Sequence, residues 1–186
     1  MARLAIVFPG IGYTPDKPLL YYCTRLAAQL GYQIRTVSYS GFPDGMLQDP
    51  ERMRQALSTA IGQSMEQLSD LALSSYDDIL LIGKSIGTAV AAAVLQRFSD
   101  RPRVQMLLFT PLAETFSFPV QDAIVFTGSS DPWVKGAETI PELCAERNIP
   151  CFVIEHGNHS LETGDVIRDL EHLDFIMHQT DSFLRG

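Results

Sequence analysis

The pentapeptide Gly83-Lys84-Ser85-Ile86-Gly87 has the residue types and spacing of a turn that presents a nucleophile. It follows the apolar run 79–82 and precedes the alanine-rich stretch 86–98, so it reads as a strand running straight into a helix. A turn that tight leaves no room for bulk two positions either side of the serine, and Gly83 and Gly87 meet that need. Ser85 would then stand on a strained corner with its Oγ exposed above the sheet, and the backbone N–H of Ile86 would point toward a developing oxyanion. Serine by itself is a poor nucleophile at neutral pH and needs a base. A carboxylate, Asp131, follows the apolar run 123–127 on a turn with Pro132, and His159 lies on the loop after the run 151–154. Together they make the set for acyl transfer: His159 to take the serine proton, and Asp131 to hold the imidazole in the right tautomer.

Each assignment has a rival. His156 is closer to its strand than His159, but Gly157 and Asn158 give His159 the freedom to turn inward. Asp122 precedes its strand and so belongs to the opposite end of the sheet from Asp131. Gly83-Lys84-Ser85 also matches the end of a phosphate-binding loop, which needs a glycine five positions before Gly83. That position is Asp78 and an apolar strand follows it, so no phosphate cradle forms. Lys84 is then the variable residue of the turn, expected as a solvated side chain over the sheet end. Asn158-His159-Ser160 matches a glycosylation sequon, an accidental match in a cytoplasmic chain.

The elements that must position these residues alternate in type. Strand-like runs are expected at 4–8, 33–39, 79–82, 104–109, 123–127 and 151–154. Several are apolar throughout, as in strands covered on both faces. Helix-like stretches are expected at 18–30 (ending at Gly31), 50–73, 86–98, 133–147 and 165–184. Alternation of this kind predicts a single α/β domain over residues 1–186: a three-layer α/β/α sandwich on a mainly parallel six-stranded sheet. Function in such sheets gathers at the carboxyl ends of the strands. Pro9-Gly10-Ile11-Gly12, the pentapeptide around Ser85, Asp131 and His159 all fall there.

Composition narrows the partners. Of 186 residues 46% are hydrophobic and 19% charged, a globular balance. The formal charge of −8, with no Lys/Arg cluster, argues against nucleic acid and is compatible with a small-molecule substrate. No apolar stretch is long enough to span a membrane, and the run 4–8 is too short for a signal sequence. Cys23, Cys144 and Cys151 form no C-x-x-C pair and have no metal-like spacing with the histidines, which fits a reducing, cytoplasmic setting with no metal and no cofactor.

Taken with their chain order, Gly-Lys-Ser-Ile-Gly, Gly-Ser-Ser-Asp-Pro and Gly-Asn-His-Ser-Leu resemble the nucleophile, acid and histidine signatures of the α/β-hydrolase superfamily. Pro9-Gly10-Ile11-Gly12 resembles its H-G-x-G oxyanion loop, with proline in place of histidine. The likeness is to small, lidless members of the dienelactone-hydrolase-like or carboxylesterase-like kind, and it covers nearly the whole chain. It implies a minimal fold, and the sequence departs from the family in lacking the two strands that usually open the sheet. It also implies Ser85, Asp131 and His159 as catalytic residues and the N–H groups of Ile86 and Ile11 as the oxyanion hole. Helix and strand fill the chain between Ser85 and Asp131, so no cap is expected. The site should be open and bordered by Tyr13, Phe42, Phe116, Phe118 and Trp133. The activity implied is hydrolysis of a small ester or thioester. Acyl transfer, peptide cleavage and ligand binding without turnover are the alternatives.

Overall fold

The structure is a computed structural model that describes residues 2–46, 49–72, 75–96 and 103–186. Six strands form one sheet: β1 (Arg3–Phe8), β2 (Tyr32–Thr36), β3 (Asp78–Lys84), β4 (Val104–Phe109), β5 (Ala123–Gly128) and β6 (Cys151–Ile154). Their spatial order is β2-β1-β3-β4-β5-β6, and every pairing is parallel. Five helices connect or follow them: α1 (Pro18–Gln29), α2 (Pro50–Gln67), α3 (Ile86–Leu95), α4 (Thr139–Ala145) and α5 (Val166–Arg185). A short 3-10 helix, Ala113–Ser117, follows β4.

The sheet separates two apolar cores, and the period of two along each strand divides the side chains between them. Leu4, Ile6 and Phe8 of β1 and Ile79 and Leu81 of β3 join α2, α3 and α4 on one face. Ala5, Val7, Leu80 and Ile82 join α1 and α5 on the other. Strands β1, β3, β4 and β5 are therefore mainly apolar with no alternation, because both faces are covered. Helix α3 carries a run of alanines and is buried along nearly its whole length, so its backbone lies close to the sheet.

Several boundaries differ from expectation. Strand β2 spans Tyr32–Thr36 at the sheet edge, not 33–39. Helix α2 ends at Gln67 and not at Leu73, which lies outside the described residues. Helix α3 ends at Leu95; Phe98, the expected end, is also outside them. The stretch expected to be helical over 133–147 is helical only over Thr139–Ala145. The cause is local: the Asp131 side chain captures the Trp133 N–H, and Gly136 adopts a positive φ of 90°, so the chain turns before it can enter a helix. At α5 the expectation is off by a single residue, because Asp165 caps the helix from outside through the N–H groups of Ile167 and Arg168.

Candidate active site

Ser85 adopts φ 56° and ψ −125°, a conformation that costs an L-residue strain and persists only where its surroundings enforce it. Those surroundings are hydrogen bonds and close packing. The Ser85 N–H donates to the Phe109 carbonyl of β4 at 3.0 Å. The Ser85 carbonyl accepts from the Thr88 N–H and from Thr88 Oγ1. A Cβ at Gly83 would lie 2.7 Å from the Thr88 Cα, and one at Gly87 only 2.0 Å from the Phe8 carbonyl oxygen. The two glycines are what allow strand, turn and helix to close on one another.

His159 Nε2 lies 2.7 Å from Ser85 Oγ, and His159 Nδ1 lies 2.7 Å from Asp131 Oδ2. The carboxylate can only accept, so Nδ1 carries the proton and Nε2 is left to accept from the serine hydroxyl. The second carboxylate oxygen, Oδ1, accepts the Trp133 N–H at 2.9 Å. The Asp131 side chain is almost fully buried, and that of His159 is mostly so.

The loop bearing His159 is braced, not free to swing. Asn158 Oδ1 accepts from the N–H groups of Ser160 and Glu162, and the Ser130 N–H donates to the Gly157 carbonyl. A Cβ on Gly128 would lie 2.1 Å from the Gly157 carbonyl oxygen, so the loops bearing Asp131 and His159 approach as closely as backbones can. His156 is exposed beside Glu155, away from this array. Asp122 sits before β5, at the opposite end of the strand from Asp131.

The turn 10–13 closes the other side. Gly10 and Tyr13 pair through reciprocal backbone hydrogen bonds, with Gly12 at φ 72°. A Cβ on Gly10 would stand 3.2 Å from Ser85 Cβ, so the segment bearing Ile11 packs directly against the turn at Ser85. Ile86 is the first residue of α3, where helix N–H groups lack intrahelical acceptors. The loop starts at Pro9, and its brace is one the sequence reading did not identify: the Tyr39 hydroxyl donates to the Pro9 carbonyl.

The aromatic residues divide. Trp133 stacks on the His159 ring at 4.5 Å between centroids and 8° between planes. It also lines a cavity of about 540 Å³ with Met46, Met53, Leu112, Glu114 and Lys135. Phe42 packs edge-on to Tyr39 against the core. Phe116 is buried beneath the Arg147 guanidinium, and Phe118 packs on the same core. Tyr13 is buried with its hydroxyl accepting from the Leu19 N–H, and it borders a separate cavity against α5.

Lys84 corrects an expectation outright. It is not solvated but wholly buried, because β3 directs it between β4 and the His159 loop. Its Nζ donates to Thr110 Oγ1 at 2.6 Å and to the His159 carbonyl at 2.7 Å. Burial pushes its pKa down from 10.5 to about 7, partly opposed by the Asp131 carboxylate. The unfolded chain therefore binds one more proton than the folded chain between pH 7 and 10.5. Stability should rise with pH across that window, as followed by the urea midpoint, and Lys84→Met should flatten the rise.

Burial likewise holds the His159 pKa below its usual 6.5; Asp131 raises it through its hydrogen bond and charge, while the Lys84 charge lowers it. Among the described residues no group of His, Cys, Asp and Glu side chains is arranged to hold a metal ion, and no helix is long and apolar enough to cross a membrane.

An all-parallel sheet with a strained serine between β3 and α3, and acid and histidine after β5 and β6, defines the α/β-hydrolase fold, here with no helical cap among the described residues. Solved structures share it along almost the entire chain. A protein of the α/β hydrolase superfamily from Xanthomonas campestris pv. campestris is 17% identical, covers 100% of this chain and 99% of its own, and has a TM-score of 0.66. Est1E from Butyrivibrio proteoclasticus is 12% identical over 98% of this chain and 88% of its own, with a TM-score of 0.67, and has also been solved with ferulic acid bound. An alpha-beta serine hydrolase homologue from Coxiella burnetii is 18% identical over 96% and 84%, with a TM-score of 0.58. No protein-family model and no curated protein matches the sequence.

Proposed function

We propose that this protein is a serine hydrolase that cleaves a small carboxylic ester or thioester through an acyl-enzyme intermediate. The observation that carries the reading is the continuous hydrogen-bonded line from Ser85 Oγ through His159 to Asp131, with both contacts at 2.7 Å. His159 takes the proton as Ser85 Oγ attacks the carbonyl carbon, and Asp131 stabilises the imidazolium that forms. The N–H groups of Ile86 and Ile11 receive the oxyanion. His159 then protonates the leaving group, and finally activates water to release the acid. The likeness to proteins named as hydrolases supports the reaction class. The cavity beside Trp133 supports a small, partly apolar acyl or alcohol group. Three free thiols, at Cys23, Cys144 and Cys151, support a cytoplasmic setting.

A fluorophosphonate probe should form one adduct, mapped by mass spectrometry to the peptide containing Ser85. A folded protein that takes up no probe, or takes it up elsewhere, would sink the assignment. The base must be neutral to accept the serine proton. With the His159 pKa held below 6.5, kcat/KM for p-nitrophenyl acetate should climb through an apparent pKa under that value. A climb centred above pH 7 would contradict this. Added alcohols or amines that divert the acyl group from water would reassign the enzyme as an acyltransferase.

A further inference from the structure

Lys84 is the residue this mechanism leaves idle, yet it adjoins the nucleophile. Burying an ammonium group costs several kcal/mol, so an apolar side chain would fill the same space at less cost. Its contacts run to the catalytic machinery. Nζ reaches Thr110 at the end of β4 and the backbone carbonyl of His159, and it stands 4.8 Å from the centre of the Tyr13 ring. Two of its three N–H groups thus have oxygen acceptors, and the aromatic face favours the charge. The His159 contact joins residues 75 positions apart in sequence. It holds the backbone of the histidine loop, whereas Asp131 and Ser85 hold only the ring.

We propose that Lys84 is a positioning residue for His159: a buried clamp that ties the strand carrying the nucleophile to the backbone of the loop carrying the base, keeping the imidazole in register with Ser85 and Asp131. The proposal rests on the reading of His159 as the base. The charged groups acting on Lys84 are Asp131 after β5, Glu162 on the histidine loop and Lys17 before α1, the last also near the Tyr13 ring. The Lys84 charge in turn disfavours imidazolium at His159. Removing it should make His159 more basic.

Lys84→Met keeps an unbranched chain and removes both donor and charge, whereas Lys84→Gln keeps a donor without the charge. Lys84→Met should remain folded by circular dichroism, with kcat/KM and the fluorophosphonate labelling rate lowered roughly 10- to 100-fold by a misplaced base. Its acid limb should move to higher pH. Lys84→Gln should move the limb likewise while keeping more of the rate. A folded Lys84→Met with wild-type rates and an unmoved limb overturns the proposal. So does a lowered rate with an unmoved limb, which marks a merely structural role. Should Lys84→Met fail to fold, the limb of Lys84→Gln decides in the same way. A wild type that the probe does not label fails the reading of Ser85 and His159 instead.

Discussion

Ser85→Ala should lose turnover by about 10⁴- to 10⁶-fold while keeping its fold and thermal midpoint. Under the proposed mechanism the loss is that large because Ser85, His159 and Asp131 act as one unit, leaving only what the proposed oxyanion donors and substrate binding supply. Alanine fits the site sterically, since Ser85 already has a Cβ and the neighbouring glycines accommodate it. His159→Ala should cost about as much, and the double variant hardly more, because the second change removes a partner already idle. Asp131→Asn should cost on the order of 10⁴-fold through the wrong imidazole tautomer. Steady-state kinetics on a short p-nitrophenyl ester, with burst measurements for the acyl-enzyme, check the series. Losses that multiply across the double variant would show that Ser85 and His159 act independently.

Gly87→Ala should be the most destabilising single methyl addition in the nucleophile turn. The new Cβ would meet the Phe8 carbonyl oxygen at 2.0 Å and the Pro9 carbonyl oxygen at 2.6 Å, both backbone atoms that cannot rotate aside. Either α3 lifts off the sheet or the 10–13 turn shifts, and both movements displace the region around Ser85. A cost above about 4 kcal/mol is expected, the range of strained or overpacked sites. At this chain length that lowers the thermal midpoint by roughly 10 °C. Gly62→Ala is the matched control. Gly62 lies within α2 with nothing inside 4 Å of a Cβ, so the same change should stabilise by about 0.5–1 kcal/mol. Scanning calorimetry of the two variants separates them by sign. Equal midpoints would show that the turn at Ser85 is looser than its contacts imply.

The tight turn at Ser85 was legible because its constraints are local. A strand running into a helix through a tight corner demands small residues at fixed offsets, and Gly83 and Gly87 stand at those offsets. Strand and helix order was legible because covering a parallel sheet on both faces leaves apolar runs such as Ile79–Ile82. Asp131 could be preferred to Asp122 from the end of the strand each occupies, which chain order supplies, whereas His159 was preferred to His156 only for the freedom of Gly157 and Asn158.

Other features depended on contacts distant in sequence. The length of β2 follows from how far an edge strand pairs with β1. Which aromatics meet the cleft depended on packing: Trp133 stacks on His159, while Phe116 turns into the core. Tyr39, which braces the loop at Pro9, lies 30 residues from it, with no motif to mark the pair.

Lys84 shows the division most clearly. Its identity and its place beside Ser85 are plain in the pentapeptide, and a lysine at a variable position reads as solvated. Only the approach of β4 and the histidine loop, 26 and 75 residues onward, encloses it and supplies its two acceptors. Sequence by itself determined which groups are available for chemistry and the order in which the chain presents them. The tertiary structure decided which of them lose water, because burial depends on what the rest of the chain brings alongside.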